Sequence, residues 1–177
     1  YLITAETNSI GNGKNDIWMI KTDKNGKMKW DTTIGGKKDE YVSSTMILPN
    51  DNIVVSGYKT VKDKFSIKKI IASLSNKTSS QRKNNKSFVA LLDKSGGNKW
   101  ETEFFEEDPN LLASISYANN QILLTGQKST RFNGEGDAWL VSLNLKGKKK
   151  WEKSYGGRGA DGGNYAIKVS DGGYMMV

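Results

Sequence analysis

Cysteine and histidine are both absent from this chain of 177 residues, and proline occurs only twice. The lack of cysteine excludes disulfide bonds and thiolate metal sites. The lack of histidine removes the usual general base and the commonest metal ligand. Much enzyme chemistry is thereby excluded, and we predict that the chain is not an enzyme and holds no cofactor.

Long apolar runs are missing as well. No window approaches the ~18 consecutive apolar residues of a membrane-spanning helix, and no signal peptide begins at Tyr1. The chain opens instead inside a strand-like run, residues 1–5. We therefore expect the natural chain to begin further upstream.

Net positive charge is absent outside one segment. Residues 59–86 hold nine basic residues and one acid, whereas the other 149 residues hold 18 basic and 18 acidic residues. The net charge of +8 therefore belongs to this segment alone. A body without net charge does not suit a nucleic-acid-binding protein, and we expect no nucleic acid as partner.

One pattern occurs three times along the chain, each time as a strand-like run, a tight turn and a tryptophan. The run Asp-Ile-Trp at 16–18 leads through Asp-Lys-Asn-Gly at 23–26 to Trp30, and the other copies keep this spacing. The matching positions are Trp18, Phe88 and Trp139, followed by Trp30, Trp100 and Trp151. The repeating unit has about 52 residues, and the middle copy has about 18 more.

Each unit predicts four short strands, which we call A to D. Strand A is typified by residues 41–48, B by 53–56, C by 17–22 and D by 27–31. Strand C is apolar on both faces, as an interior strand must be, and strand D alternates, as an outer strand does. A regular hairpin between C and D would place Trp18 opposite Trp30 and Ile20 opposite Met28.

Such units are typical of β-propeller blades, because each small sheet has two apolar faces that only neighbouring blades can cover. We predict an all-β chain over residues 1–177, made of three tandem four-stranded antiparallel repeats and forming part of a larger propeller. The repeats span residues 1–52, 53–121 (with an insert at 60–86) and 122–173, and a further unit starts at 174–177.

The Asp-x-Trp, Asp-x-x-Gly-x-x-x-Trp and Gly-Gly succession resembles the repeats of secreted Bacteroidota proteins, often joined to a type IX secretion sorting domain. More distantly it resembles tryptophan-motif propellers, which include quinoprotein dehydrogenases and the propeller lipoprotein of outer-membrane protein assembly. The resemblance covers the chain except residues 60–86. It implies a location outside the cytoplasm, in the cell envelope or secreted, and places the B–C and D–A loops on one face.

The middle copy departs from the pattern. It has Ser87 where the others have Asp, Phe88 where they have Trp, and Phe-Phe-Glu-Glu at 104–107 where they have Gly-Gly. We interpret the repeated aromatic and glycine residues as structural, because blade packing accounts for them. These residues are Trp18, Trp30, Phe88, Trp100, Trp139, Trp151, Gly35, Gly36, Gly156 and Gly157.

Acidic residues near the glycines are the candidates for chemistry. Loops 12–16 and 133–137 gather oxygen ligands suited to Ca²⁺, but their spacing is not that of an EF-hand, and we interpret Asp16 and Asp137 as binding local backbone amides. Asp39, Glu40 and Asp161 follow the Gly-Gly pairs and are interpreted as solvated loop acids rather than a catalytic pair.

The basic insert is the candidate partner-binding element. Residues 61–74 show apolar residues near helical spacing with lysines between them, which predicts a short basic amphipathic helix, and residues 73–86 predict a flexible loop. A solvated excursion without function is the alternative. The candidate binding residues are Lys62, Lys64, Phe65, Lys68, Lys69, Arg82, Lys83 and Lys86.

Three functions remain open from the sequence. The favoured hypothesis is a non-catalytic propeller scaffold that binds a partner protein, in a cell-envelope or secretion complex, through its loops and the insert. The second is a segment of a propeller enzyme, a quinoprotein or a glycan-active protein. The third is binding of a polyanion or an anionic membrane through the insert, which predicts a salt-sensitive association.

Overall fold

The computed structural model describes residues 1–60, 85–104, 110–129 and 136–177. Within these ranges every regular element is a β-strand and none is a helix, which confirms the prediction of an all-β chain. The strands are β1 (Leu2–Thr7), β2 (Asp16–Thr22), β3 (Met28–Ile34), β4 (Glu40–Ile47), β5 (Ile53–Thr60), β6 (Asn85–Leu92), β7 (Asn98–Phe104), β8 (Leu111–Ala118), β9 (Gln121–Ser129), β10 (Gly136–Asn144), β11 (Lys149–Tyr155), β12 (Ala166–Lys168) and β13 (Tyr174–Met176).

The strands form four antiparallel sheets in which neighbours in sequence are neighbours in space. The first sheet is β1-β2-β3, the second β4-β5-β6-β7, the third β8-β9-β10-β11 and the fourth β12-β13. The predicted four-stranded antiparallel unit is therefore confirmed for the second and third sheets. When a repeat is counted from strand B, its strands B, C and D lie in one sheet and its strand A lies in the next sheet.

The predicted pairing of strands C and D is wrong by three residues. Trp18 lies opposite Thr33 and Trp30 lies opposite Lys21, not opposite each other. The turn centres one residue later than a regular hairpin would, because Gly26 takes a positive φ of 83° and the ladder shifts register between Lys21 and Thr22. The same correction applies to the expected pairs Phe88–Trp100 and Trp139–Trp151, since Phe88 faces Glu103 and Trp139 faces Ser154.

The core lies between sheets rather than inside any one of them. Alternate residues of the second sheet point in opposite directions, as the strand period of two requires. One set, which includes Ile53 and Val55, packs with Ile17 and Met19 of the first sheet. The other set, which includes Val54, packs with buried residues of the third sheet. The sheets are thus stacked face to face, and each contact is an apolar layer.

The strand D tryptophans join neighbouring sheets. Trp30 donates from Nε1 to the Lys94 carbonyl at 3.2 Å, and Trp100 donates to the Leu145 carbonyl at 2.9 Å. The acceptors lie in the C–D turns of the second and third sheets. Each ring also packs on the glycine of that turn. The tryptophan of one sheet and the turn glycine of the next sheet, one repeat later, therefore contact each other.

Candidate functional site

The B–C and D–A connections meet at one end of the sheets. The Glu40 amide donates to the Asn15 carbonyl at 2.8 Å, and the Asp161 amide donates to the Gly136 carbonyl at 2.7 Å. In both cases a residue that follows a Gly-Gly pair is fastened to the start of a strand C. We call this end of the molecule the loop end.

A buried pair of carboxylates, Asp16 and Glu40, lies at the loop end of the first sheet. Asp16 is 1% exposed and Glu40 is 5% exposed. Asp16 accepts a hydrogen bond from the Gly13 amide at 3.0 Å through Oδ2, which matches the expectation that it binds local backbone. Its Oδ1 and the Oε2 of Glu40 are buried without a hydrogen-bond partner among the described residues.

Glu40 was expected to be a solvated loop acid, and this expectation is wrong. The Gly-Gly pair has no side chains to hold the D–A connection away from strand C, so Glu40 folds beneath it. Burial raises the pKa of the Glu40 carboxyl above its usual range, and the nearby Asp16 charge raises it further. The Gly36 amide and the Lys59 ammonium oppose this rise in pKa without cancelling it.

Strand register identifies the equivalents of this pair in the other copies. Asp16 pairs with Thr7 in the first sheet, Lys86 with Lys59 in the second and Asp137 with Lys128 in the third. Lys86, and not Ser87, therefore occupies the aspartate position of the middle copy, and the alignment made from the sequence is wrong by one residue there.

The residue that lies beside the strand C acid also differs between the copies. The positions equivalent to Glu40 are Asn110, which is buried, and Asp161, whose amide is bonded as that of Glu40 is. The middle copy thus has Lys86 and Asn110 where the first copy has two carboxylates. Asp161 is exposed and Asp137 is half-buried, and Asp161 accepts the Gly157 amide at 3.0 Å, so the third pair is less buried than the first.

A cleft of about 490 Å³ opens beside the carboxylate pair, between the first and second sheets. Its lining is mainly polar and includes Thr33, Glu40, Lys59 and Glu101. Such a cleft has the size of a small-ligand site, yet its side chains lack a nucleophile paired with a base.

An equivalent cleft between the second and third sheets has only about 210 Å³. Its lining residues are the counterparts of the first, with Phe104 in place of Ile34 and Trp139 in place of Phe88. Phe104 and Trp139 make an edge-on ring contact with centroids 5.5 Å apart. The larger aromatic side chains fill the second cleft, which leaves the first as the open one.

An ion-pair network crosses the second sheet. The Lys59 Nζ lies 2.7 Å from Glu101 and 2.6 Å from Glu103, and Lys86 lies 3.2 Å from Glu103. Burial alone lowers the pKa of Lys59, but the hydrogen bonds that Lys59 donates to Glu101 and Glu103 outweigh burial and raise that pKa. The same contacts lower the pKa of Glu103. Two charges of the basic segment are therefore compensated within the sheet.

Of the predicted partner-binding residues, only Lys86 is described. It lies in β6, half-buried, with its charge directed to Glu103. The others, and the predicted helix at 61–74, lie outside the described residues. The insert leaves β5 at Thr60 and returns at Asn85, two residues that face each other in the ladder.

The predicted structural residues take two kinds of position. Trp139 and Phe88 are buried between sheets, whereas Trp18, Trp30, Trp100 and Trp151 are half-buried. Gly35 contacts both carboxylates of the buried pair, and Gly156 contacts Asp137 and Asp161. The sequence analysis missed the pairing of Asp16 with Glu40. The sequence signal for this pairing was an acidic residue five positions after the first glycine of each Gly-Gly pair, at Glu40 and Asp161.

No group of three or more acidic side chains converges in the described part of the chain. No helix in that part is long and apolar enough to cross a membrane. Comparison with models of known protein families gives no match, and comparison with curated proteins gives none either. The resemblance to secreted repeats therefore rests on the sequence motifs alone.

Proposed function

We propose that this chain is a non-catalytic β-propeller scaffold that binds a protein partner at the loop end of its second sheet. Sheets in sequential order, stacked face to face through apolar layers, are the construction principle of propeller blades. The site side chains supply no nucleophile, base and orienting group in mutual contact, which favours binding over catalysis.

The observation that carries the proposal is the divergence of one junction from an otherwise repeated design. Between the first and second sheets the cleft is about 490 Å³, against about 210 Å³ at the next junction. In the second sheet, next to this cleft, Lys86 also replaces an aspartate and lies opposite Lys59. The next junction packs with a filled cleft, and the other two copies keep the aspartate. Packing therefore gives no reason for the open cleft or for Lys86.

The charge of the insert favours an acidic partner. Residues 61–84 hold seven basic residues and one acid, and the two flanking lysines are already paired with Glu101 and Glu103. A segment with such a dense positive charge steers negatively charged surfaces toward it. In this proposal the contacts come from Lys62, Lys64, Phe65, Lys68, Lys69, Arg82 and Lys83.

The proposed location is outside the cytoplasm, in the cell envelope or secreted. Type IX secretion is the proposed export route. Support for this location comes from the resemblance of the repeat motifs to secreted proteins. Fractionation of source cells with an antibody against residues 85–177 would test it, and recovery in the cytoplasmic fraction would refute it.

The partner proposal can be tested by shortening the insert without disturbing the sheet. Because Thr60 and Asn85 are cross-strand partners, an Asn-Gly turn between them should close a regular two-residue hairpin in place of residues 61–84. Affinity capture from source cells, with crosslinking and mass spectrometry, would compare three proteins. These are the intact chain, the shortened chain and a variant with Lys62, Lys64, Lys68 and Lys69 changed to Gln.

A matched control changes four exposed lysines elsewhere to Gln: Lys24, Lys27, Lys146 and Lys148. We expect this control to retain a crosslinked partner. The two insert variants should capture at least about tenfold less of that partner. Equal capture by all four proteins would contradict the proposal. Binding of heparin or anionic vesicles that needs the insert, with no protein captured, would support the polyanion alternative instead.

A further inference from the structure

Two buried carboxylates side by side need either a compensating cation or a shared proton. Asp16 and Glu40 are both more than nine-tenths buried, and each has one oxygen without a hydrogen-bond partner among the described residues. A Cβ placed on Gly35 would collide with Asp16 Oδ1 and lie 2.9 Å from Glu40 Oε2. The two unpartnered oxygens therefore point into the same small space beside Gly35.

The nearest cation does not supply that charge. The Lys59 ammonium is held at 2.7 Å by Glu101 and at 2.6 Å by Glu103, so it is engaged by β7 of its own sheet. Leaving ionised carboxylates buried and unpaired is strongly unfavourable, and proteins normally pair such groups or use them as metal ligands.

Backbone groups occupy the other side of Asp16. The carbonyl oxygens of Gly36 and Lys38 lie against Gly13, whose amide donates to Asp16 Oδ2 at 3.0 Å. The unpartnered Oδ1 of Asp16 lies beside Gly35 instead, together with Glu40 Oε2. Carboxylate and carbonyl oxygens in a flexible arrangement are the ligands that Ca²⁺ prefers, whereas Mg²⁺ demands a strict octahedron and retains its waters.

We propose that Asp16 and Glu40 form a Ca²⁺-binding site at the junction of the first and second sheets. The two carboxylates neutralise the divalent ion, and water molecules complete its coordination. Bound Ca²⁺ would fasten the D–A connection, residues 35–39, to the start of β2. This inference is independent of the proposed partner binding.

The other junctions show why the site belongs to the first. At the second junction Lys86 and Asn110 occupy the equivalent positions, so no carboxylate is present. At the third, Asp161 is exposed and its Oδ2 already accepts the Gly157 amide. Asp137 and Asp161 meet beside Gly156 as the first pair meets beside Gly35, but neither has a buried oxygen without a hydrogen-bond partner among the described residues.

Isothermal titration of metal-free protein with CaCl₂, and separately with MgCl₂, tests the site. We expect one Ca²⁺ per chain, with a Kd of about 10⁻⁴ to 10⁻³ M because only two charged ligands contribute, and weaker Mg²⁺ binding. Asp16→Asn and Glu40→Gln should each weaken Ca²⁺ binding at least about tenfold. The control Asp161→Asn should bind as the unchanged protein does.

Neighbouring glycines provide a second matched pair. Gly35→Ala would place a methyl group in the space between the two oxygens, whereas a Cβ on Gly36 would have only Glu40 Oε1 near it, at 3.8 Å. We expect Gly35→Ala to abolish Ca²⁺ binding and Gly36→Ala to retain it, with both variants folded by circular dichroism.

Either of two results would overturn the proposal. One is the absence of Ca²⁺ binding at 10 mM, about ten times the weakest expected Kd, in which case the pair holds a proton instead. The other is Ca²⁺ binding that is unchanged in Asp16→Asn and Gly35→Ala, which would place the ion elsewhere.

Discussion

The glycine of each C–D turn meets two separate demands. Gly26, Gly96 and Gly147 have φ values of 83°, 88° and 77°, in the left-handed region that other residues adopt only at a cost. Gly96 and Gly147 also lie under a tryptophan ring of the preceding sheet, whereas nothing lies within 4 Å of a Cβ on Gly26. The backbone demand is thus shared by all three glycines, and the packing demand by two.

Alanine substitution separates the two demands. Gly26→Ala should destabilise the protein by about 1–2 kcal/mol through backbone strain alone. Gly147→Ala should cost more, because its Cβ would lie 2.8 Å from the Trp100 ring and would force apart the second and third sheets. Urea denaturation followed by tryptophan fluorescence measures both. Equal losses of unfolding free energy would show that the ring contact contributes nothing.

At the scale of elements, β5, β6 and β7 are joined by charge as well as by backbone hydrogen bonds. Lys59 on β5 and Lys86 on β6 both contact Glu103 on β7. Lys59 is also within 5.4 Å of the centre of the Phe88 ring, which favours a cation. The strands at the base of the insert are therefore fixed by contacts that do not involve the insert itself.

This network should make stability depend on acid pH. The hydrogen bond from Lys59 lowers the pKa of Glu103 in the folded chain, so its contribution is present above the unfolded pKa, ~4.3, and is lost as pH falls through the lower folded value. Glu103→Gln should therefore flatten the loss of stability below about pH 4. Thermal melting from pH 2 to 7 checks this, and parallel curves for the two proteins would contradict it.

At the scale of the whole molecule, each apolar layer belongs to two sheets. Leu124 of the third sheet is fully buried and lies in one cluster with Val54, Val89 and Leu91 of the second sheet. Sheets that share their core are expected to unfold together, because neither keeps its buried face without the other.

A cavity in the shared layer should therefore weaken both sheets. Leu124→Ala should cost about 2–5 kcal/mol, and amide exchange should rise in both the second and the third sheets. Leu111→Ala is the control, since Leu111 is 43% exposed and should change stability little. Faster exchange confined to the third sheet would show that the sheets unfold independently.

The sequence alone determined the class of the fold. Tryptophan spacing and the two-residue alternation gave four-stranded repeats, because these patterns depend only on which residues must face an apolar neighbour. The sequence did not determine strand register, because the positive φ of Gly26 moves the centre of its turn and every cross-strand pair follows that shift. For the same reason, alignment of the sequence repeats put Ser87 at the aspartate position that Lys86 occupies in the structure.

The site was decided by tertiary structure. Asp16 and Glu40 are 24 residues apart, and each resembles an ordinary loop acid until the D–A connection folds over strand C and buries both. Likewise, the lysines at 59 and 86 count toward a basic segment in the sequence, but the sheet pairs them with glutamates. Burial and charge compensation depend on neighbours that only the folded chain brings together, and these decide which acids and which lysines are available to bind.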